Sequence, residues 1–284
     1  MSAGTTARPT TAPPLPVIAT LSQRELVRFF RQKNRVFGAL GQPIIFWLLF
    51  GAGLGTAKVD SAEGGSAAGA SLDYAHFFPG TLVMILLFTA IFATISIIED
   101  RREGFLQGVL VAPTPRWAMV MGKVLGGSAI AMLQGIIFLF LGWLTGALGW
   151  YQVINPASVV SVVAAIVLML VISLALTSLG FLIAWRMDST QGFHAIMSVF
   201  LLPMWLLSGA FFPMDVGGWL GWIVRINPLT YGVAGLRHYL QNVDVATAHL
   251  PSPATCWIVS LLFAGLILAA DCWIAGQRTT GDLL

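Results

Sequence analysis

Apolar positions along this chain gather into long unbroken runs, at about 36–57, 79–98, 119–149, 156–184, 193–212 and 253–275. About 20 mostly apolar residues in a helix cross the hydrocarbon core of a bilayer, so the pattern predicts an all-α membrane protein with six transmembrane helices. The third and fourth runs are longer than a span needs, which tilt or interfacial ends accommodate.

Three stretches between the runs carry a different pattern. Residues 21–35 mix Leu21, Leu26, Val27, Phe29 and Phe30 with Arg24, Arg28, Arg31 and Lys33, which predicts an amphipathic helix on the inner leaflet leading into span 1. Between spans 2 and 3, charges cluster from Glu99 to Glu103, and Phe105, Leu106, Val109 and Leu110 recur at helical spacing until Pro113 and Pro115. That is a short cytoplasmic helix with one apolar face, which either lies on lipid or docks into a groove on another protein. After span 5, residues 213–240 are too broken by Gly217-Gly218 and Asn227-Pro228 to form one span, yet too apolar for an ordinary loop. Two short re-entrant helices in the outer leaflet fit, Trp219 to Ile226 and Leu229 to Leu240. Backbone at that depth must be buried in protein or line a cavity, so the segment is expected to roof or line a path.

Composition narrows the class. Only 10% of the 284 residues are charged, 57% are apolar and the mean hydropathy is +0.84. Soluble domains carry about 25% charged residues. The net charge of +3 gives no reason to expect a nucleic-acid partner. Cys256 and Cys272 share one run, about 24 Å apart on a helix, too far for a bridge. Residues 1–20, rich in Thr, Pro and Ala, read as a disordered cytoplasmic tail without a cleavable signal peptide, and 21–280 as one transmembrane domain.

Position, not sum, makes the basic residues informative. With the N-terminus inside, twelve fall on the inner side (Arg8, Arg24, Arg28, Arg31, Lys33, Arg35, Arg101, Arg102, Arg116, Lys123, Arg186, Arg278) and three outside (Lys58, Arg225, Arg237). The positive-inside rule then sets both termini in the cytoplasm. Trp150 and Tyr151 are expected at the outer interface, Trp185 and Trp273 at the inner one. The spans hold almost no ionisable groups, against the pattern of proton-coupled carriers. Asp271 is near enough to the inner end of span 6 to snorkel or to pair with Arg278, and Gln134, mid-depth in span 3, is expected to bond another helix. Gly122-Lys123 is followed by Val124 and is not a phosphate-binding loop, so no catalytic, cofactor or metal residue is expected.

The two unusual segments together resemble the permease subunits of type-2 ATP-binding-cassette (ABC-2) exporters, the daunorubicin-resistance type. The likeness rests on Glu103-Gly104 with Leu110-Val-Ala-Pro113, Arg116 and Gly122-Lys123, and on Ser208-Gly-Ala-Phe-Phe-Pro213 with Asn227-Pro-Leu-Thr-Tyr231 and Leu236-Arg237. It covers about 21–280. Gly217-Gly218 departs from it, since such permeases often have prolines there. The resemblance implies a subunit of the bacterial inner (plasma) membrane that forms the path for a hydrophobic or amphipathic solute such as a drug, lipid or glycolipid. It implies a second permease copy, identical or not, and a separate ATPase that holds the ATP and Mg. The helix after span 2 would be the coupling helix, with Arg102, Glu103, Gly104, Phe105, Leu106, Val109 and Leu110 holding the ATPase. Gly209, Phe211, Phe212, Pro213, Asn227, Pro228, Tyr231 and Arg237 would line the outer path. A secondary transporter, a channel and a membrane scaffold are the alternatives, separable by whether an ATPase co-purifies.

Overall fold

The computed structural model describes residues 12–55, 74–212, 214, 217–243 and 250–277. Lys58, Pro213 and Arg278 lie outside them. The described residues form ten α-helices and no strand: α1 Pro14–Arg31, α2 Lys33–Gly55, α3 Tyr74–Arg102, α4 Phe105–Val111, α5 Arg116–Ala147, α6 Val159–Ala184, α7 Thr190–Trp205, α8 Gly218–Ile226, α9 Pro228–Gln241 and α10 Pro253–Gly276. A π-helical turn, Leu206–Ala210, prolongs α7.

Five helices are long and apolar enough to cross a membrane: α3, α5, α6, α7 with its π turn, and α10. The run expected as span 1 lies on α2, whose apolar part, Gly41–Gly53, is shorter. Starts follow local chemistry. Ser158, Ser189 and Ser252 cap α6, α7 and α10 with their hydroxyls, and Pro14, Pro228 and Pro253 open their helices where no N–H is needed.

α3 is the hub. Leu82, Val83, Met84, Ile85, Leu86 and Leu87 are all 0% exposed, which requires neighbours on every side. α2, α5, α6, α7 and α9 supply them. Gln134 forms the expected bond between helices, accepting from the Thr89 hydroxyl of α3.

Three expectations need correction. The N-terminal helix begins at Pro14, not at 21, and breaks at Gln32, so residues 33–35 belong to α2. Leu21, Glu25 and Phe29, four apart, are buried, with Gly122 and Gly126 of α5 beneath the helix. A Cβ on either glycine would stand 2.8 Å from the side chain of Leu21 or Glu25, so only glycine admits α1 this closely. Trp185 is buried rather than interfacial, stacked on Phe181 at 5.4 Å. Asp271 does not snorkel: it is 0% exposed, and Arg278, its expected partner, lies outside the described residues.

Candidate functional site

Two sites stand at opposite ends of the bundle. At one end, α1, α3 and α5 converge on a buried group of charges. Lys123 lies about two turns inside α5 next to Gly122, so the approach of α1 brings Glu25 against it. Its Nζ donates to Glu25 Oε1 at 2.5 Å and also to Asp100. Asp100, 0% exposed, accepts from Arg24 Nη2 and Arg28 Nη1, each at 2.6 Å. Arg28 reaches on to Glu99 at 2.9 Å and Glu103 at 3.3 Å. The hydrogen bond to Asp100 holds the Arg24 guanidinium above its ordinary range, despite the opposing effect of burial. A buried ion costs free energy unless paired and bonded. Here each acid has at least one cationic donor.

α4 attaches to this group. Gly104 turns the chain from α3 into α4 at φ +75°, the left-handed region where glycine is favoured. The turn sets Phe105 beneath the Arg24 guanidinium, 3.8 Å from ring centroid to Cζ. Leu106 is 4% exposed, and Phe105, Val109 and Leu110 pack partly buried on the same core. The apolar face therefore seats α4 on its own chain, and Arg102, Glu103, Gln107, Gly108 and Val111 remain exposed. Periodicity had marked which residues are buried but not against what. Arg101 donates to the carbonyls of Trp185 and Met187, and Arg102 to that of Asp188, so the α6–α7 turn joins the assembly. Arg116 donates to the carbonyls of Ala275 and Gln277 at the end of α10.

At the other end, α8 and α9 follow the broken end of α7 as two short helices. Gly209, at φ +77°, stops that helix. Asn227 repairs the break. Its Oδ1 caps α9 by accepting from the Leu229 N–H at 3.0 Å, and its Nδ2 donates to the freed carbonyls of Met204 and Leu207 at 2.5 and 3.0 Å. Pro228 fixes the first turn of α9, and the Tyr231 hydroxyl donates to the Arg225 carbonyl at 2.9 Å. Phe211 packs against Phe50, Phe77 and Trp205 with ring centroids 4.8–5.3 Å apart. Phe212 is half-buried beside it. Arg237 donates to the His76 carbonyl at 3.2 Å. Between α6, α7 and α8 an apolar groove of about 680 Å³ is lined by Ile183, Phe200, Met204 and Ile226, among others. No group of three or more His, Cys, Asp or Glu able to hold a metal occurs among the described residues.

The sequence reading singles out Gly104, Gly209, Asn227, Pro228, Tyr231 and Arg237; it gives Glu25 no role, and it names Asp100 and Thr230 only within the charge cluster and the family-like motif that contain them. Lys123 enters it as an inner-side cation, as part of the family-like motif and as a failed phosphate-loop match, not as a member of a buried charge group. A lysine inside an apolar run was the available signal, since it must be paired if buried.

The sequence model described as ABC-2 type transporter matches residues 16–240. The chain is 24% identical over 230 residues to a putative transport permease, ycf38, of Porphyra purpurea, covering 80% of this chain and 75% of that one. It is 28% identical over 213 residues to the linearmycin resistance permease protein LnrN of Bacillus subtilis, covering 74% and 51%. It is 26% identical over 242 residues to the inner membrane transport permease YadH of Escherichia coli, covering 84% and 85%.

Proposed function

This chain belongs to the ABC-2 type transporter family and is a transmembrane exporter subunit, and from that premise we propose how it works. α2, α3, α5, α6, α7 and α10 are its six spans, with both termini in the cytoplasm of a bacterial inner membrane. Two permeases, identical or related, face each other across the path. Each carries an ATPase subunit that holds the ATP and Mg. α4 is the coupling helix. Its exposed Arg102, Glu103, Gln107 and Val111 face the ATPase, while Phe105, Leu106, Val109 and Leu110 bind it to the permease. The single observation that carries this reading is the Arg24 guanidinium, which joins α4 through Phe105 to Asp100 and so to α3 and α5. A push on α4 then moves three elements as one.

The substrate class is hydrophobic or amphipathic. The apolar groove of about 680 Å³ supports this, within the range of sites for drug-sized ligands, as does a relative named for resistance to linearmycin. Gly209, Phe211, Phe212, Pro213, Asn227, Pro228, Tyr231 and Arg237 belong to the outer wall of the path. Family membership favours this reading over a secondary transporter, channel or scaffold.

The test is co-expression with a candidate cassette ATPase, followed by pull-down and efflux on the same membranes. Capture of the ATPase with ATP-dependent efflux supports the assignment. A permease that exports its solute with no ATPase present overturns it.

A further inference from the structure

Arg237 carries the outer end of α9 into the interior. Its guanidinium is largely buried, one terminal nitrogen donates to the His76 carbonyl at 3.2 Å, and its buried Nε has no hydrogen-bond partner. Burial pushes it down to about 10, which leaves it charged at neutral pH. The ion pairs of Arg24, Arg28, Arg101 and Lys123 stand at the opposite end of the bundle. Asp215 and Asp244 lie outside the described residues.

Beside the guanidinium is a small cavity of about 30 Å³, lined by Gly209, Thr230, Val233, Arg237 and Leu250, among others. The Thr230 hydroxyl is already given to the Val224 carbonyl at 2.7 Å. Among the described residues the rest of this wall is apolar or main chain. The space is close to the share of one water in the liquid, so it suits a monatomic ion better than a phosphate, a sulfate or a lipid headgroup. A water there would satisfy Nε but leave the positive charge uncompensated, which is costly at a buried site.

We propose that this niche is a halide site, in which Arg237 holds a single chloride ion between α9 and the broken end of α7. The ion supplies the counter-charge that lets the outer hairpin close over a buried guanidinium. The site stands on Arg237 and its cavity, independently of which solute is exported.

The experiment is a thermal-unfolding series on the purified full-length chain in detergent, at fixed ionic strength, with gluconate replaced stepwise by chloride, and ³⁵Cl line broadening as a second readout. Wild type should gain melting temperature saturably with chloride and with bromide, and should broaden the chloride signal. Sulfate should give no such gain. Arg237→Gln should abolish both effects. Arg237→Lys keeps the charge without the Nε donor, and should show a higher half-saturating chloride concentration; it serves if the glutamine variant does not fold. Three results would overturn the site. One is no halide dependence in wild type; another is the same dependence in Arg237→Gln. The third is a dependence that appears only after Asp215→Asn or Asp244→Asn, which would make that carboxylate the counter-charge.

Discussion

The guanidinium of Arg24 lies 3.8 Å above the ring of Phe105 while two of its nitrogens hold the carboxylate of Asp100 at 2.6 and 2.9 Å. One side chain thus clasps the short helix α4 on one side and the end of the most buried helix on the other. Lysine can supply the charge but neither the fork nor the flat stacking surface. Arg24→Lys is expected to keep the fold and lose much of the ATP-dependent efflux, with stacking worth about 0.5–2 kcal/mol. Efflux against unfolding temperature in the same preparation checks this; equal efflux in the two proteins would reject the clasp.

Lys123 is expected to govern stability. Lys123→Met leaves Glu25 and Asp100 buried with one cationic partner fewer each, and should cost about 3–5 kcal/mol. Adding Glu25→Gln should recover part of the loss, because one of the stranded charges disappears. Chemical denaturation of the two variants in mild detergent measures this, and additive losses would deny that the residues act as a unit.

On α4 the two faces should separate. Leu106→Asp places a charge in packed interior and is expected to unfold or misplace the helix within the permease itself. Val111→Asp, at a position 76% exposed, should leave melting unchanged and weaken ATPase capture. A Val111→Asp protein that retains the ATPase fully would move the docking surface elsewhere.

Gly104 has open space where a Cβ would go, so only its φ of +75° restrains substitution. Gly104→Ala should cost about 1–2 kcal/mol, the penalty of the left-handed region, whereas Gly104→Asn should cost less. Melting temperatures of the pair test the order, and alanine equal to glycine would show that the turn relaxes.

Asn227 serves three backbone groups from one amide. Asn227→Asp keeps the cap on α9 but turns a donor toward the Met204 and Leu207 carbonyls into a repelling oxygen. It is therefore expected to be worse than Asn227→Ala, which removes all three bonds, the unpaired groups costing roughly 1–3 kcal/mol. Protease sensitivity of the outer hairpin reports on both variants; aspartate better tolerated than alanine would show that the cap matters more than the mended helix end.

Much of this arrangement is legible in the sequence because its causes are local. Runs of apolar residues, Pro113 and Pro115, and the Asn227-Pro228 break each act within a few positions, and the helices α4, α8 and α9 fall close to where those signals set them. The inner charge group is not local. Glu25, Asp100 and Lys123 come from three helices that approach because Gly122 and Gly126 lack side chains, and no period in the chain announces that meeting. Periodicity also reports only that a face is hidden. For α4 the hiding partner turned out to be the chain itself, and for α1 the face turned toward α5 carries Glu25, an acid among basic residues, whose reason lies nearly a hundred positions away in Lys123.

The all-round burial of α3 bears on how the chain is assembled. Of the helices that enclose it, α5, α6, α7 and α9 are synthesised after it. As the ribosome delivers α3 it enters the bilayer before these neighbours exist, and its whole circumference first meets lipid tails. A helix apolar on every side is stable in either surrounding. The middle of α3 is thus written for two solvents in succession, acyl chains while the protein is half made and its own later helices once it is complete.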